Sequence, residues 1–250
     1  MLNSTTYRLW VIAHRGGCAL RPENTLAAFW NAIDLGVDMV EADVKLTKDG
    51  KPVLLHDDSL ERTTNGRGNV KDFTLQELRQ LDVGSHFDPK YHTETIPTLE
   101  DLFRLCRSRV KILLDLKAGE QYHHQIVRLI TAYRMEFDVV MGVRTLNTFK
   151  EIKRLNPAIR VLSFGYPIDV AYEILEVGAD IIRLWGNWVT PDHVERVRTM
   201  GKAVWVMAGE PTVEGAGRTT PEELRWYRKL GVNGVILDDP RIALQVNREP

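Results

Sequence analysis

The second half of the sequence repeats a short apolar segment followed by an amphipathic one, and this repeat restricts the fold more than any other feature. Apolar, β-branched runs begin at residues 138, 160, 180 and 203, so 20 to 23 residues separate one run from the next. That spacing is typical of successive strand and helix units, and nearly continuous apolar strands are typical of a parallel sheet covered on both faces. The repeat therefore predicts an α/β fold.

Nine apolar runs in the whole chain are predicted to be strands. They cover residues 9–13, 37–44, 52–55, 110–116, 138–143, 160–164, 180–185, 203–207 and 234–237. Apolar residues at three- to four-residue spacing predict helices over 25–35, 99–107, 125–134, 146–155, 170–177, 191–200 and 221–230. Thr190 and Thr220 each precede a proline at a predicted helix start, as an N-cap precedes proline at the first helical position.

A chain of 250 residues has about the length of one TIM (β/α)8 barrel, and we predict a somewhat irregular barrel of this kind as a single domain over residues 1–250. The link between the runs 37–44 and 52–55 is too short for a crossover helix, so one of the nine runs lies outside the barrel or is irregular. Residues 57–109 have weak periodicity and turn signals, which predict an insertion after the strand that ends near His56.

Composition excludes several classes of partner. The 33 Lys and Arg residues nearly balance the 34 Asp and Glu residues without a basic tract, which argues against nucleic acid or an anionic membrane as the main partner. Two cysteines, Cys18 and Cys106, are too few for a disulfide framework. No apolar run approaches the ~18 residues of a membrane span, and residues 9–13 are too few for a signal peptide. We therefore expect a soluble cytoplasmic protein without stable membrane insertion, of undetermined oligomeric state.

The segment His14-Arg15-Gly16-Gly17 follows the first predicted strand, where a (β/α)8 barrel places its active-site loops. Histidine exchanges protons near neutral pH, arginine contacts phosphate through two nitrogens, and glycine lets a ligand approach the backbone. Taken alone, the segment is also compatible with a structural histidine in a loop.

Glu41 and Asp43 share one face of the predicted strand 37–44, because side chains alternate along a strand. Inside a barrel, two carboxylates repel each other and lose their solvation unless a cation neutralises them, and carboxylate oxygens suit Mg²⁺ or Ca²⁺. The alternative is that the pair is solvated at an exposed end of the barrel.

His56 follows the run 52–55, and Asp115 and Lys117 share a face at the end of the run 110–116. Two histidines at neighbouring strand ends could act as acid and base on the two sides of a phosphoryl transfer. Asp115 adds a third carboxylate and Lys117 a fixed positive charge. Together, the polar groups at these strand ends favour a phosphoryl-transfer site.

These motifs resemble those of the glycerophosphodiester phosphodiesterase family, whose barrel is related to that of the phosphatidylinositol-specific phospholipases C. The resemblance covers most of the chain. The segments that carry it are His14-Arg15-Gly16, Pro22-Glu23-Asn24-Thr25, Glu41-x-Asp43, Thr47-Lys48-Asp49-Gly50, His56-Asp57, Arg62-Thr63-Thr64-Asn65-Gly66, Ile96-Pro97-Thr98-Leu99-Glu100, Asp115-x-Lys117, Gly231-Val232-Asn233-Gly234 and Asp238-x-Pro240.

The resemblance implies metal-dependent hydrolysis of a small-molecule glycerophosphodiester to glycerol phosphate and an alcohol. The implied roles are those of metal ligands for Glu41, Asp43 and Asp115, of an acid/base pair for His14 and His56, and of phosphate binding for Arg15 and Lys117. It leaves open whether the metal is Mg²⁺ or Ca²⁺, which histidine is the acid, and whether water or a substrate hydroxyl is the nucleophile. Two alternatives are the same chemistry on a lysophospholipid or other phosphodiester, and a non-catalytic barrel that binds phosphodiesters.

Two positions depart from the family's pattern. Asp115 stands where the family more often has Glu, and the shorter side chain could fall short of a metal or admit a water. Trp205 is followed by Val206-Met207-Ala208, where the family usually has Thr, a small apolar residue and Asn. We expect Trp205 to bind substrate and the loop 207–219 to shape the leaving-group pocket.

Several further residues are considered for both a structural and a functional role. Asn24 is either the N-cap of the first helix or, by resemblance, a support for the metal ligands. Cys18 is interpreted as a packed small residue rather than a nucleophile. Trp185 and Trp188 either line a pocket mouth or pack in the core or rim. The remaining histidines are expected to be surface or structural residues: His86, His92, His123, His124 and His193.

Overall fold

Nine strands form one sheet in the described part of the chain, and eight of them close into a parallel barrel. The computed structural model describes residues 8–117, 119, 122–212 and 215–250. The strands are β1 (Trp10–Ala13), β2 (Met39–Leu46), β3 (Pro52–Leu54), β4 (Lys111–Leu116), β5 (Val139–Val143), β6 (Arg160–Ser163), β7 (Ile181–Trp185), β8 (Ala203–Met207) and β9 (Gly234–Leu237). Around the barrel the order is β1, β2, β4, β5, β6, β7, β8, β9, and β1 pairs with both β2 and β9. The predicted TIM barrel is confirmed.

The strand outside the barrel is β3, which pairs antiparallel with β2 through partners such as Val44 and Leu54. The chain reverses between them in a tight turn, where the Gly50 amide donates to the Thr47 carbonyl at 3.0 Å. Gly50 has φ +71°, a conformation that glycine adopts without strain. A parallel barrel strand would need a crossover of a dozen residues or more, so this short link permits only a hairpin.

Helices follow most of the strands and cover the outside of the barrel. They are α1 (Leu26–Leu35), α2 (Leu75–Leu78), α3 (Leu99–Cys106), α4 (His123–Ala132), α5 (Leu146–Leu155), α6 (Ile168–Val177), α7 (Pro191–Thr199), α8 (Pro221–Leu230) and α9 (Pro240–Val246). Thr190 and Thr220 cap α7 and α8 as predicted. Helix α9 was not predicted from the sequence, although it begins with an Asp239 cap and Pro240 in the same pattern. No helix in the described ranges is both long and apolar enough to cross a membrane.

The barrel interior changes from apolar to charged towards the carboxyl ends of the strands. Its apolar cluster takes at least one residue from each barrel strand: Ile12, Met39, Leu113, Val140, Leu162, Phe164, Ile181, Trp205, Met207 and Ile236. On β2, Met39 contributes to this cluster and the same strand face continues with Glu41 and Asp43. The charged residues thus lie at the end of the barrel where (β/α)8 enzymes place their active sites.

The predicted insertion has an apolar cluster of its own beneath β3. The cluster consists of Val53, Leu55, Leu60, Val70, Leu78, Val83 and Ile96. The last part of the predicted range, α3, instead packs Leu102 and Phe103 into the main core between strands and helices. The segment that packs as a separate unit therefore ends before α3.

Candidate active site

The carboxyl ends of the barrel strands surround a cavity of about 380 Å³. Seven of the eight predicted site residues line it: His14, Arg15, Glu41, Asp43, His56, Asp115 and Lys117. Further lining residues, which were not predicted as site residues from the sequence, are Asp57, Arg62, Arg144, Phe164 and Arg183. The polar groups at separate strand ends thus converge on one space.

Three buried carboxylates form one wall of this cavity. Glu41 and Asp43 lie on the inward face of β2, and the register of β2 and β4 places Asp115 directly beside Asp43. One ligand oxygen from each of the three residues lies within 4.8 Å of the others. These hard oxygen donors are of the kind that Mg²⁺ and Ca²⁺ prefer. The described residues therefore contain a buried acidic group that could hold a divalent metal ion.

Glu41 is the carboxylate with the least positive charge close to it. Its Oε2 accepts a hydrogen bond from the backbone amide of Arg15 at 2.8 Å. Burial, reinforced by the negative charge of Asp43, raises the pKa of Glu41 well above its ordinary value. A cation bound here would relieve both effects, so the environment of Glu41 fits a metal site.

Asp115 has the opposite electrostatic environment. Arg144 donates from Nη1 and Nη2 to its two oxygens at 2.5 and 2.7 Å, and Lys117 Nζ lies 3.1 Å from Oδ2. Burial alone would raise the pKa of Asp115, but these positive charges hold it below its usual range. Asp115 is thus already paired with an arginine.

Asn24 supports Asp43, and its interpretation as a helix N-cap was wrong. Thr25 caps α1, since its Oγ1 accepts from the Ala28 amide at 3.2 Å. Asn24 Nδ2 instead donates to Asp43 Oδ2 at 2.9 Å, and Asn24 Oδ1 accepts from the Asp43 amide at 3.1 Å. Asn24 has φ +56°, which asparagine tolerates better than most residues. Asn24 thus holds both the backbone and the carboxylate of Asp43 in the acidic wall.

His14 is held by an aspartate from the last strand end. Its Nδ1 lies 2.6 Å from Oδ1 of Asp238. A carboxylate only accepts hydrogen bonds, so Nδ1 carries the proton and Nε2 remains available to a ligand. Burial lowers the pKa of His14, but the hydrogen bond to Asp238 and the charge of Glu41 outweigh it and raise that pKa above its ordinary value.

His56 has a similar partner but a different electrostatic balance. Its Nδ1 lies 2.6 Å from Oδ1 of Asp57, and Oδ2 of the same carboxylate accepts from Nε of Arg62 at 2.5 Å. Burial and the positive charges of Arg15 and Lys117 lower the pKa of His56, although Asp43 and Asp57 act in the other direction. The two predicted histidines therefore share a geometry and differ in their tendency to hold a second proton.

The loop 207–219 contributes Pro211, Thr212 and Ala216 to the cavity wall, while residues 213 and 214 lie outside the described residues. Gly217 of this loop packs against Asp238. It has φ +82°, and a Cβ there would lie only 1.9 Å from Asp238 Oδ1. The absence of a side chain at position 217 therefore leaves the room in which Asp238 reaches His14.

Trp205 is the predicted site residue that the structure does not bring to the cavity. It is 3% exposed and stacks on Trp10 with ring centroids 6.3 Å apart. Gly234 leaves the space that its ring occupies, since a Cβ there would lie 2.9 Å from the ring. Trp205 points into the barrel but packs in the apolar cluster, so its placement does not support a substrate contact. Trp185 lines the cavity, whereas Trp188 stacks on Tyr166.

Cys18 lies close to Asp238 without the properties of a nucleophile. Burial and the charge of Asp238 raise the pKa of its thiol well above the ordinary value. A thiol that stays protonated is a poor nucleophile, in agreement with its interpretation as a packed residue.

Arg144, Asp57 and Asp238 were missed as functional residues. Arg144 and Asp238 directly follow the predicted strands 138–143 and 234–237, and this position at a strand end is the sequence signal that identifies both. Asp57 follows His56 in the sequence. Its contact with Nδ1 depends on side-chain geometry that sequence spacing does not fix.

A family model, curated relatives and a solved structure all relate the chain to phosphodiesterases. Residues 14–242 match the Glycerophosphoryl diester phosphodiesterase family. A glycerophosphodiester phosphodiesterase of Bacillus altitudinis is 41% identical over 249 residues, which cover 96% of this chain and 98% of that protein. One from Caldanaerobacter subterraneus subsp. tengcongensis is 32% identical over 246 residues, with 96% and 98% covered. A phosphodiesterase of Oleispira antarctica, solved in complex with the product sn-glycerol-3-phosphate, is 25% identical and has a TM-score of 0.82 over 98% of both chains.

Proposed function

Because the chain belongs to the glycerophosphoryl diester phosphodiesterase family and is a phosphoric diester hydrolase, we propose that it cleaves glycerophosphodiesters to glycerol phosphate and an alcohol with a divalent metal ion and two acid/base histidines. One observation carries the proposal. Two histidines, each held at Nδ1 by an aspartate, line the same cavity as three clustered carboxylates.

Glu41 and Asp43 would hold the metal ion, with Asp115 shared between the ion and Arg144. The raised pKa of Glu41 supports this, because it reflects a buried negative charge that its surroundings do not balance. When bound, a divalent cation supplies positive charge that offsets the charge of the diester and of its transition state.

Arg15 and Lys117 would bind the phosphate oxygens. Nε of Arg15 is buried and has no hydrogen-bond acceptor among the described residues, although Asp43 Oδ2 lies 3.5 Å away. Lys117 Nζ lies between Asp43 and Asp115, at 3.3 and 3.1 Å. Both cations therefore border the acidic wall, where they can contact an anion bound beside the metal.

The surroundings of the histidines favour His56 as the base and His14 as the acid. His56 has a lowered pKa, so it is neutral at physiological pH and its Nε2 can take a proton from the nucleophile. His14 has a raised pKa and can donate from Nε2 to the departing alkoxide. Asp57 and Asp238 keep the two rings oriented for these transfers.

The test is hydrolysis of glycerophosphocholine, glycerophosphoethanolamine, glycerophosphoinositol and a lysophospholipid, each with Mg²⁺, Ca²⁺ or a chelator. We expect metal-dependent release of glycerol phosphate from at least one glycerophosphodiester, and loss of turnover in Glu41→Gln. Phosphorus NMR during turnover separates a water nucleophile from a substrate hydroxyl, because only the latter produces a cyclic phosphate. Tight diester binding without turnover would instead indicate the non-catalytic barrel.

A further inference from the structure

Arg183 is a buried arginine of β7 that the reaction described above does not use. It is 5% exposed, and its Nε and Nη1 have no hydrogen-bond partner in the described ranges of the chain. A guanidinium carries five N–H donors, and leaving buried donors unpaired disfavours the folded state. A structural role alone therefore does not account for Arg183.

The guanidinium lies inside the catalytic cavity between aromatic rings. Its central carbon is 4.3 Å from the ring centroid of Trp185 and 5.3 Å from that of Phe164, and all three residues line the cavity. The rings hold the cation by their negative faces, but they supply no oxygen acceptor for its N–H groups. The unpaired donors are thus held in a fixed place beside the space that a ligand would fill.

Within the described ranges, no carboxylate forms an ion pair with Arg183. Asp115 is the carboxylate whose charge acts on it, yet both Asp115 oxygens accept hydrogen bonds from Arg144. Burial lowers the pKa of Arg183 to about 9, which still leaves it protonated at neutral pH. This part of the cavity therefore attracts an anion.

Arg183 lies across the barrel from the predicted reaction centre. Three strands separate β7 from β2 in either direction around the barrel, and β2 carries Glu41 and Asp43. A phosphodiester held beside these carboxylates by Arg15 and Lys117 would have one of its two alcohols directed towards β7.

We infer that Arg183 is a specificity-determining residue that binds an anionic group, a carboxylate or a phosphate, on the alcohol released by the reaction. Glycerol carries no charge, so the anion belongs to the other alcohol. The inference rests on the proposed function and adds a class of substrate to it. Phe164 and Trp185 would otherwise suit a quaternary ammonium group, but the guanidinium between them repels cationic alcohols such as choline.

The test compares four diesters that share the glycerophosphate half. Their alcohols are glycerol, glyceric acid, glycerol phosphate and choline, so the second and third separate a carboxylate from a phosphate. We expect kcat/KM to be about 10- to 100-fold higher for at least one anionic alcohol than for glycerol, which is the range of a charge-assisted hydrogen bond, and lowest for choline. In Arg183→Met this preference should fall to about one.

Two further variants serve as controls. Arg196→Met also removes an arginine stacked on an aromatic ring, that of Tyr172 at 3.8 Å, but from the outer surface, and it should retain the preference. Arg183→Lys keeps the charge and should retain part of it, which covers the case in which Arg183→Met does not fold.

Two results would overturn the inference while leaving the proposed function intact. One is hydrolysis of the neutral diester by the wild type without preference for an anionic alcohol. The other is an equal loss on all four diesters in Arg183→Met, since that loss would place Arg183 at the scissile phosphate. Failure of the wild type to hydrolyse any glycerophosphodiester would contradict the proposed function itself.

Discussion

Arg144 holds both carboxylate oxygens of Asp115, with Nη1 and Nη2 at 2.5 and 2.7 Å. The carboxylate at the third position of the acidic wall is therefore bound to an internal cation before any metal arrives. A metal ion that uses Asp115 must share it with the guanidinium. Arg144 would thus compete with a metal ion for the same oxygens.

Replacing Arg144 with Met should increase the response of the protein to metal. Without metal, Asp115 keeps Lys117 but loses both hydrogen bonds from Arg144. The melting temperature should fall by roughly 5 °C, because Arg144 is 44% exposed and the loss is smaller than for a fully buried pair. With saturating Mg²⁺ or Ca²⁺ most of this loss should be recovered. Differential scanning fluorimetry with and without chelator measures both values.

Arg79→Met is the control for Arg144→Met, because Arg79 pairs with Asp101 at 3.1 Å on the surface, away from the cavity. It should leave the metal-induced shift unchanged. A shift in Arg144→Met that is no larger than in the wild type would show that Arg144 and the metal do not share Asp115.

The metal-free protein should become less stable as the pH rises above about 4.5. The folded state raises the pKa of Glu41 above 4.5, so the folded protein retains a proton that the unfolded chain has released. The free energy of unfolding contributed by this group is therefore highest at low pH and falls until the folded pKa is passed. Bound metal replaces the proton and should remove this part of the slope.

Melting temperatures from pH 5 to 9, with chelator and with Mg²⁺, measure this effect. Glu41→Gln isolates the contribution of Glu41 from that of His14, whose raised pKa gives a slope of the same sign. The metal-free variant should show a flatter slope than the metal-free wild type, and Mg²⁺ should no longer raise its melting temperature. Identical slopes in the two proteins would mean that Glu41 is already ionised without metal.

Replacing either histidine with Ala should lower turnover by on the order of 10²–10⁴-fold, the usual contribution of general acid–base catalysis. A substrate with a more acidic leaving alcohol, such as a nitrophenyl diester, needs no acid. It should therefore rescue His14→Ala and not His56→Ala. Rescue of His56→Ala alone would reverse the two roles, and turnover within about threefold of wild type would remove that histidine from the mechanism.

Gly217→Ala should lower turnover on the order of 10²-fold by moving the carboxylate that orients His14, because an added Cβ would lie 1.9 Å from Asp238 Oδ1. Gly201→Ala is a matched control: Gly201 also has a positive φ, of +68°, but its Cβ would contact no atom within 4 Å. Both variants place an alanine at a positive φ and so strain the backbone, but only Gly217→Ala should lose activity. Combining Gly217→Ala with Asp238→Asn should cost little beyond the worse single change.

The sequence predicted which residues point into the barrel better than it predicted how far along the barrel axis each of them lies. Alternation along a strand placed Glu41 and Asp43 together on an inward face, as observed, and Trp205 was expected to bind substrate. The sequence did not show that Trp205 packs in the apolar cluster while the carboxylates border the cavity. Depth depends on barrel register and on neighbours such as Gly234, which come from other parts of the chain.

Partner choice was the other property that the sequence did not reveal. Asn24 and Thr25 are both good N-caps, and only the contact with Asp43, 19 residues away, distinguishes their roles. Arg144 and Asp115 are 29 residues apart, and adjacent strand ends bring them together. The resemblance to a family indicated which residue types form the site. It did not include Arg144, so it could not indicate that Arg144 pairs with Asp115.

Because β3 lies outside the barrel, the two histidines follow strands that are held in the structure in different ways. His14 follows β1, which pairs with strands on both sides in the barrel, whereas His56 follows β3, the second strand of a hairpin outside the barrel. That hairpin is held by β2 on one side and by a bridge from Val53 to Thr98 on the other, over the insertion's own apolar cluster. Substitutions at Leu60 or Val70, which pack in that cluster, would therefore shift the position of His56 while leaving that of His14 unchanged. Changes in the packing of this cluster would therefore change the distance between the two histidines without changing the pairing of the barrel strands.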